Sequence, residues 1–257
     1  MKTTKVITAL LFLLGAIKFV SAQDVAPPPP PPENPGSMPT GYFELGIGAG
    51  QPLNSFAWNN GTGYGGYALP GGNLNVSFGI PIAHSNFGVA FMYNYAWNLY
   101  DVNTYVNNVQ ISDQSNTYTP LVQDEYRESF ILGGLFATIP LQRISFDFRL
   151  MGGLAVCALP ELDYEADATS PTASQNFEWD TYGSTSTSFA SDMGASIRFR
   201  IFRTSLMVGI DYLNTDPMVN TTQRYTDQYG ASTYSHVGGS SPISIISYSL
   251  GIGYQFR

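Results

Sequence analysis

The chain has 257 residues, 44% of them hydrophobic and 12% charged; soluble domains carry roughly 25% charged residues, so much of this surface faces something other than water. Aromatic residues make up 14% and 26 glycines are spread along the chain, which favours strands and turns and excludes an all-helical fold. One cysteine excludes an internal disulfide framework, two histidines exclude a histidine-rich metal centre, and a net charge of -8 excludes a nucleic-acid binder.

Residues 1–22 run from a basic start (Lys2, Lys5) through an apolar stretch, Val6 to Ile17, to the small-residue pattern Val20-Ser21-Ala22. This is the layout of a cleaved secretory signal peptide, and its apolar core is well short of the roughly 20 residues a membrane-spanning helix needs. No cysteine follows the cleavage point, so a lipoprotein anchor is not expected. All three lysines lie in the signal, which leaves 8 Arg against 19 acids and a mature net charge of 8 - 19 = -11. Residues 23–40 hold six consecutive prolines, Pro27 to Pro32, then Pro35 and Pro39. Such a run cannot enter a sheet or helix interior and reads as an extended periplasmic linker, with a PxxP ligand as the alternative.

From Tyr42 onward, apolar and polar residues alternate with period two in eight segments. The first sets Phe43, Leu45, Ile47 and Ala49 against Glu44 and three glycines; the second sets Leu74, Val76, Phe78 and Ile80 against Asn73, Asn75, Ser77 and Gly79. The third, Phe87 to Asn98, is the clearest. The fourth, about Tyr126 to Thr138, is apolar on both faces; the phase favoured here points Phe130, Leu132 and Phe136 outward and Arg127 and Ser129 inward. In the fifth, Ile144, Phe146, Phe148, Leu150 and Leu154 oppose Ser145, Asp147, Arg149, Met151 and Gly153. The sixth opposes Phe189, Met193, Ala195, Ile197 and Phe199 to Asp192, Gly194, Ser196, Arg198 and Arg200. The seventh opposes Leu206, Val208, Ile210 and Tyr212 to Ser205, Met207, Gly209 and Asp211, and the eighth sets Ile246 to Phe256 against serines and glycines.

Alternation alone would also suit a soluble sandwich; the connections decide. Segments two and three are joined around His84-Ser85-Asn86, four and five by Pro140 to Arg143, and six and seven by Arg200 to Arg203. The other connections run roughly 20 to 30 residues, so short and long alternate as in an up-and-down outer-membrane barrel. The outward faces carry no charge, which a bilayer requires, because Arg or Lys at its midplane costs roughly 2 to 4 kcal/mol. Outward aromatics gather near the two ends, as interfacial girdles do: Phe43, Phe87, Phe199, Tyr254 and Phe256 at one, Tyr95, Trp97 and Tyr212 at the other. The expectation is an all-β, eight-stranded antiparallel transmembrane barrel over 41–257.

The last segment, with Tyr248, Leu250, Ile252, Tyr254 and Phe256 at alternate positions before Arg257, resembles the C-terminal signature of bacterial outer-membrane barrels. With the export signal and eight strands, residues 41–257 resemble the small barrels of the OmpA, OmpX and OmpW type. That resemblance implies a cell outer-membrane location, a lipid surround, and delivery by the barrel-assembly machinery.

Inward Glu44, Asp147 and Asp192 share the interior with Arg149, Arg198 and Arg127, and at low dielectric such charges pair. The expected function is therefore a non-enzymatic barrel with a closed, charge-networked lumen, serving membrane integrity or surface interaction. The alternative is a narrow channel for ions or small solutes. Long loops rich in Tyr, Asn, Ser, Thr and Gly suit an extracellular ligand. Glu161, Asp163, Glu165 and Asp167 form a period-two acidic run whose alternatives are a solvated face and a Ca²⁺ or Mg²⁺ site. A lipid-acting barrel enzyme is the third reading, resting on His236 with Ser235, Asp227 or Ser240. Cys157 falls inward and is expected to be buried. No cofactor is called for.

Overall fold

The computed structural model describes residues 41–59, 66–82, 85–121, 124–169 and 176–256. The signal and proline-rich segments, His84 and Arg257 lie outside these residues. Thirteen strands are described: β1 (Gly41–Pro52), β2 (Gly71–Pro81), β3 (Phe87–Leu99), β4 (Asn116–Pro120), β5 (Glu125–Leu141), β6 (Ile144–Ala158), β7 (Leu162–Ala168), β8 (Phe177–Thr181), β9 (Thr185–Ile201), β10 (Thr204–Thr215), β11 (Met218–Asp227), β12 (Ser232–Ser240) and β13 (Ile243–Phe256). Two helices accompany them, α1 (Asn54–Ala57) and α2 (Val102–Ser112).

Eight strands close on themselves in the order β1-β13-β10-β9-β6-β5-β3-β2, all antiparallel. The paired residues Pro52, Ile245, Leu213, Asp192, Met151, Gly134, Ala90, Gly79 and Tyr42 trace one circuit of the wall. It leaves β1 at residue 52 and returns at residue 42, a shear of ten for eight strands, which tilts the strands by roughly 40°. A barrel of this size holds side chains rather than a wide channel.

The wall turns large apolar residues outward, including Phe91, Ile131, Leu150, Phe189, Met193 and Leu250, each at least 60% exposed. A soluble protein does not tolerate a continuous belt of this kind, whereas hydrocarbon requires one. Bulky inward rings are accommodated by glycines on the neighbouring strand. Tyr42 lies over Gly79 and Phe136 over Gly88, where a Cβ would collide with the ring.

Seven of the eight segments have the expected phase. The fourth is reversed: Phe130, Leu132 and Phe136 point inward and are buried, while Ile131, Leu135 and Ile139 face out. Volume explains the choice. The inward neighbours on β3 and β6 are small, Gly88, Ala90, Gly153 and Ala155, so this wall has room for rings.

The long connections differ most from a loop reading. They build a second, five-stranded antiparallel sheet, β12-β11-β8-β7-β4. Each of its strands adjoins a barrel strand in the chain, and the order repeats that of β13-β10-β9-β6-β5. Five of the eight barrel strands thus continue past the rim as a hood, while β1, β2 and β3 stop there. The hood's inner face carries Leu162, Tyr164, Phe177 and Trp179, packed together with Val102, Tyr105 and Val106 of α2, and the buried Ala166. Asp101 caps this helix by accepting from the Thr104 amide at 3.1 Å.

Candidate functional site: the barrel lumen and its cap

Glu44 on β1, Asp147 and Arg149 on β6, Arg198 on β9 and Asp211 on β10 form one connected ion network, all of them buried. Arg149 donates from Nη2 to Asp211 Oδ1 at 2.6 Å, and its Nη1 lies 3.9 Å from Glu44 Oε2. Arg198 donates from Nε to Glu44 Oε1 at 2.8 Å and pairs through Nη2 with Asp147 Oδ2 at 3.1 Å. Ser77 donates to Glu44 Oε2 at 3.1 Å, and Thr138 donates to Asp147 Oδ1 at 2.6 Å. The Arg198 guanidinium also sits 4.4 Å over the Tyr42 ring, which meets Phe136 edge-on at 5.3 Å.

Strand order sets one of these contacts across the barrel. β6 is four places from β1 around the eight-stranded wall, so the approach of Glu44 and Arg149 spans the lumen. Removing one member would leave a buried charge without its partner, a loss of about 3 to 5 kcal/mol.

Of the charges expected inside, Glu44, Asp147, Arg149 and Arg198 come together. Asp192 is inward and buried, but no described protein group hydrogen-bonds either of its carboxylate oxygens. Arg127 is a correction: with the β5 phase reversed it lies on the outside at the rim, half exposed, where Nε donates to Glu125 Oε1 at 3.0 Å and Nη2 meets Asp124 Oδ1 at 3.5 Å. Its inward neighbour Glu128 is fully buried instead, and neither carboxylate oxygen has a protein donor. Asp211, inward in the sequence pattern but not assigned a partner there, is the counter-ion of Arg149. Tyr42, one residue before the first apolar position considered, escapes the sequence reading; only the register that sets it opposite Gly79 reveals its place.

Above the charges, Phe130, Leu213 and Ile245 form an apolar layer, each fully buried. A chain of ring contacts follows at the mouth: Phe56 against Tyr126 at 4.8 Å, Tyr126 against Tyr100 at 6.0 Å, and Tyr105 between Tyr67 at 5.4 Å and Tyr164 at 6.3 Å. Tyr126 donates from its hydroxyl to the Gly66 carbonyl at 2.7 Å. Burial pushes the Tyr100, Tyr105 and Tyr164 hydroxyls above their usual range, so the cap stays uncharged.

The acidic run lies on the other face of the hood. Asp163, Glu165 and Asp167 share the outer face of β7, opposite Glu178 and Asp180 of β8 in register. Glu161 precedes the strand, its amide donating to Asp124 Oδ2 at 3.3 Å. Among the described residues, no three His, Cys, Asp or Glu side chains are grouped to hold a metal ion. Arg224 is the counter-charge, bonded to Asp180 and 3.7 Å from Glu178. Burial, with Asp180, Glu161 and Glu178 alongside, pushes the Asp163 carboxyl up to about 6.

The residues of the enzyme reading are not assembled. His236 is exposed on β12, its Nδ1 3.1 Å from Thr222 Oγ1. Asp227 instead accepts from the Tyr229 and Ala231 amides, and Ser240 bonds to Asp216. Cys157 is buried, as its inward phase requires.

The chain is thus an all-β, eight-stranded antiparallel up-and-down transmembrane barrel with a charged interior. No protein-family profile and no curated protein matches it. Among solved structures it is similar to a major outer membrane protein of Thermus thermophilus, at 11% identity and a TM-score of 0.46 over 84% of this chain and 99% of that one. It is also similar to Neisserial surface protein A (11% identity, TM-score 0.42, 84% and 97%) and to Ail of Yersinia pestis (13%, 0.40, 84% and 99%).

Proposed function

We propose that this is a bacterial outer-membrane barrel, exported through a cleaved signal, that works as a closed, non-enzymatic scaffold and presents a structured surface sheet to the outside. The observation that carries the closed reading is the ion pairing of Glu44 with Arg198 and Arg149 across the lumen, above which the aromatic cap forms a second barrier. The exposed apolar belt supports the lipid surround. Delivery by the barrel-assembly machinery follows from the C-terminal pattern of Tyr248, Leu250, Ile252, Tyr254 and Phe256. The hood is a rigid platform rather than a set of free loops, which favours surface interaction over a purely structural role, because rigid elements lose little entropy on binding.

A narrow channel is the second reading. It is favoured by the unpartnered polar side chains in mid-lumen, including Asn75, Asn94 and Asp192. The full-length mature chain refolded into planar bilayers separates the two. Folded barrels without steady conductance support the scaffold, whereas discrete channels altered by Asp192→Asn overturn it.

A further inference from the structure

Between the ion network and the apolar layer, the lumen is lined by buried polar groups that the protein itself leaves unsatisfied. Asn75 and Asn94 face each other across the β2–β3 register, Asn73 lies two residues further along β2, and none of the three side-chain amides has a hydrogen-bond partner among the described residues. On the opposite wall, Asp192 and the second oxygen of Asp211 are likewise free, beside Ser247 and Ser249, whose hydroxyls have no partner. All seven side chains are at most 3% exposed. Asp192 and Asp211 are diagonal neighbours, since Asp192 pairs with Leu213 and Asp211 with Gly194. Gly194 is needed there, because a Cβ would strike the Asp211 carboxylate.

The charge balance points the same way. Glu44, Asp147, Asp192 and Asp211 face only Arg149 and Arg198, a surplus of two carboxylates over guanidiniums. The nearest further cation, Arg200, is partly exposed at the short-turn end of β9, and the nearest further acid, Glu128, lies above the apolar layer. Arg149 and Arg198 share Asp211, Glu44 and Asp147, so Asp192 is the lumen carboxylate in no ion pair among the described residues. A buried carboxylate that is neither paired nor hydrogen-bonded is too costly to persist, so it must be neutralised.

We propose that this polar stretch of the lumen binds a monovalent metal cation, with Asp192 as its counter-charge and the Asn75, Asn94 and Ser247 oxygens as its neutral ligands, directly or through water. A monovalent ion offsets the charge of Asp192, one of the two carboxylates in surplus, and amide and hydroxyl oxygens are hard ligands suited to an alkali cation. The assignment rests on the closed reading of the lumen, where the ion is a resident and not a passenger.

The test is thermal unfolding of the refolded mature barrel in detergent, in NaCl, KCl or tetraethylammonium chloride at equal ionic strength with EDTA present. Equal ionic strength removes screening as a cause. Na⁺ or K⁺ is expected to raise Tm by about 5 °C over the organic cation, as saturable binding to the folded state requires. Asp192→Asn, nearly isosteric, is expected to erase the difference. Equal melting in all three salts, or an unchanged salt response in Asp192→Asn, overturns the proposal. So does an infrared band of a protonated carboxyl in the wild-type protein that disappears in Asp192→Asn. Conductance of the same preparation is read separately. Steady channels would overturn the closed lumen, while cation-specific melting would still stand or fall on its own curves.

Discussion

The lumen and the surface hood are both acid-rich, and they handle their charges in opposite ways. Inside the barrel, Glu44, Asp147 and Asp211 are held within ion-pair distance of Arg149 and Arg198 by contacts that run from neighbouring strands, β6 and β9, to opposite ones, β1 and β6. On the hood, Asp163, Glu165, Asp167 and Glu178 stand side by side on an outer face with Arg224 as the neighbouring counter-ion. The same carboxylate is costly without a partner where water is excluded and cheap where water remains, so burial rather than charge number dictates pairing. The hood then draws its stability from rings on its inner face, and the barrel draws its own from closure and lumen packing.

The largest effect is expected in the lumen. Glu44→Gln deprives both Arg149 and Arg198 of their shared acceptor and should cost about 3 to 5 kcal/mol, measured as a lower urea midpoint of the folded barrel in lipid vesicles. A midpoint within error of wild type would show that the network contributes no stability, and the contrast between the two regions would fail. Tyr164→Ala should remove about 3 kcal/mol, but from the hood only, because Tyr164 stacks on Trp179 at 6.4 Å with the rings 12° apart and meets Tyr118 at 5.7 Å. Limited proteolysis should then cut the hood while the barrel keeps its heat-resistant mobility; parallel loss of both would mean that they unfold as one unit.

Gly88→Val is a smaller perturbation of the barrel. It sets a side chain against the Phe136 ring and should cost about 1 to 3 kcal/mol of barrel stability without touching the hood. The least effect is electrostatic and confined to the hood. The folded Asp163 carboxyl, near 6, holds its proton more tightly than the ordinary value of 3.8, so the folded form binds more protons between these values. Hood stability should be greatest at low pH and fall as pH rises from about 4 to about 6, by less than about 1 kcal/mol once solvent screening is counted. Hydrogen exchange of the β7 and β8 amides reads this directly, and Asp163→Asn should flatten the profile. A dependence that survives Asp163→Asn assigns the titration to another group. Asp113 does not mimic it, because hydrogen bonds from Tyr118 and Ser115 hold its carboxyl at about 2.

Much of the barrel was legible because a membrane wall imposes a strict two-residue period with lipid on one side. Segments such as Phe87 to Asn98 have one phase only, and Asp147 and Arg149 pin the face of theirs. The β5 segment escaped because both its faces are apolar. Its true phase depends on the small residues of β3 and β6 beside it, which no local pattern reveals, and Arg127 was misplaced with it. The hood escaped for a different reason. β7 does alternate, with Leu162, Tyr164 and Ala166 against Asp163, Glu165 and Asp167, but β11 and β12 are polar on both faces and carry no periodic signal.

Alternation, the absence of outward charge in the wall and the short-long order of the connections together determined an eight-stranded membrane barrel with its charges inside. Those features are local, and hydrocarbon enforces them one residue at a time. Which acid meets which arginine is not local. It depends on the closure that sets β6 opposite β1 and on the shear of ten that sets the height at which their residues meet, and both emerge only when all eight strands are in register. The tertiary structure alone therefore decided that Glu44 reaches Arg149 and Arg198, that Asp192 is left without a protein partner, and that three long connections assemble into one sheet.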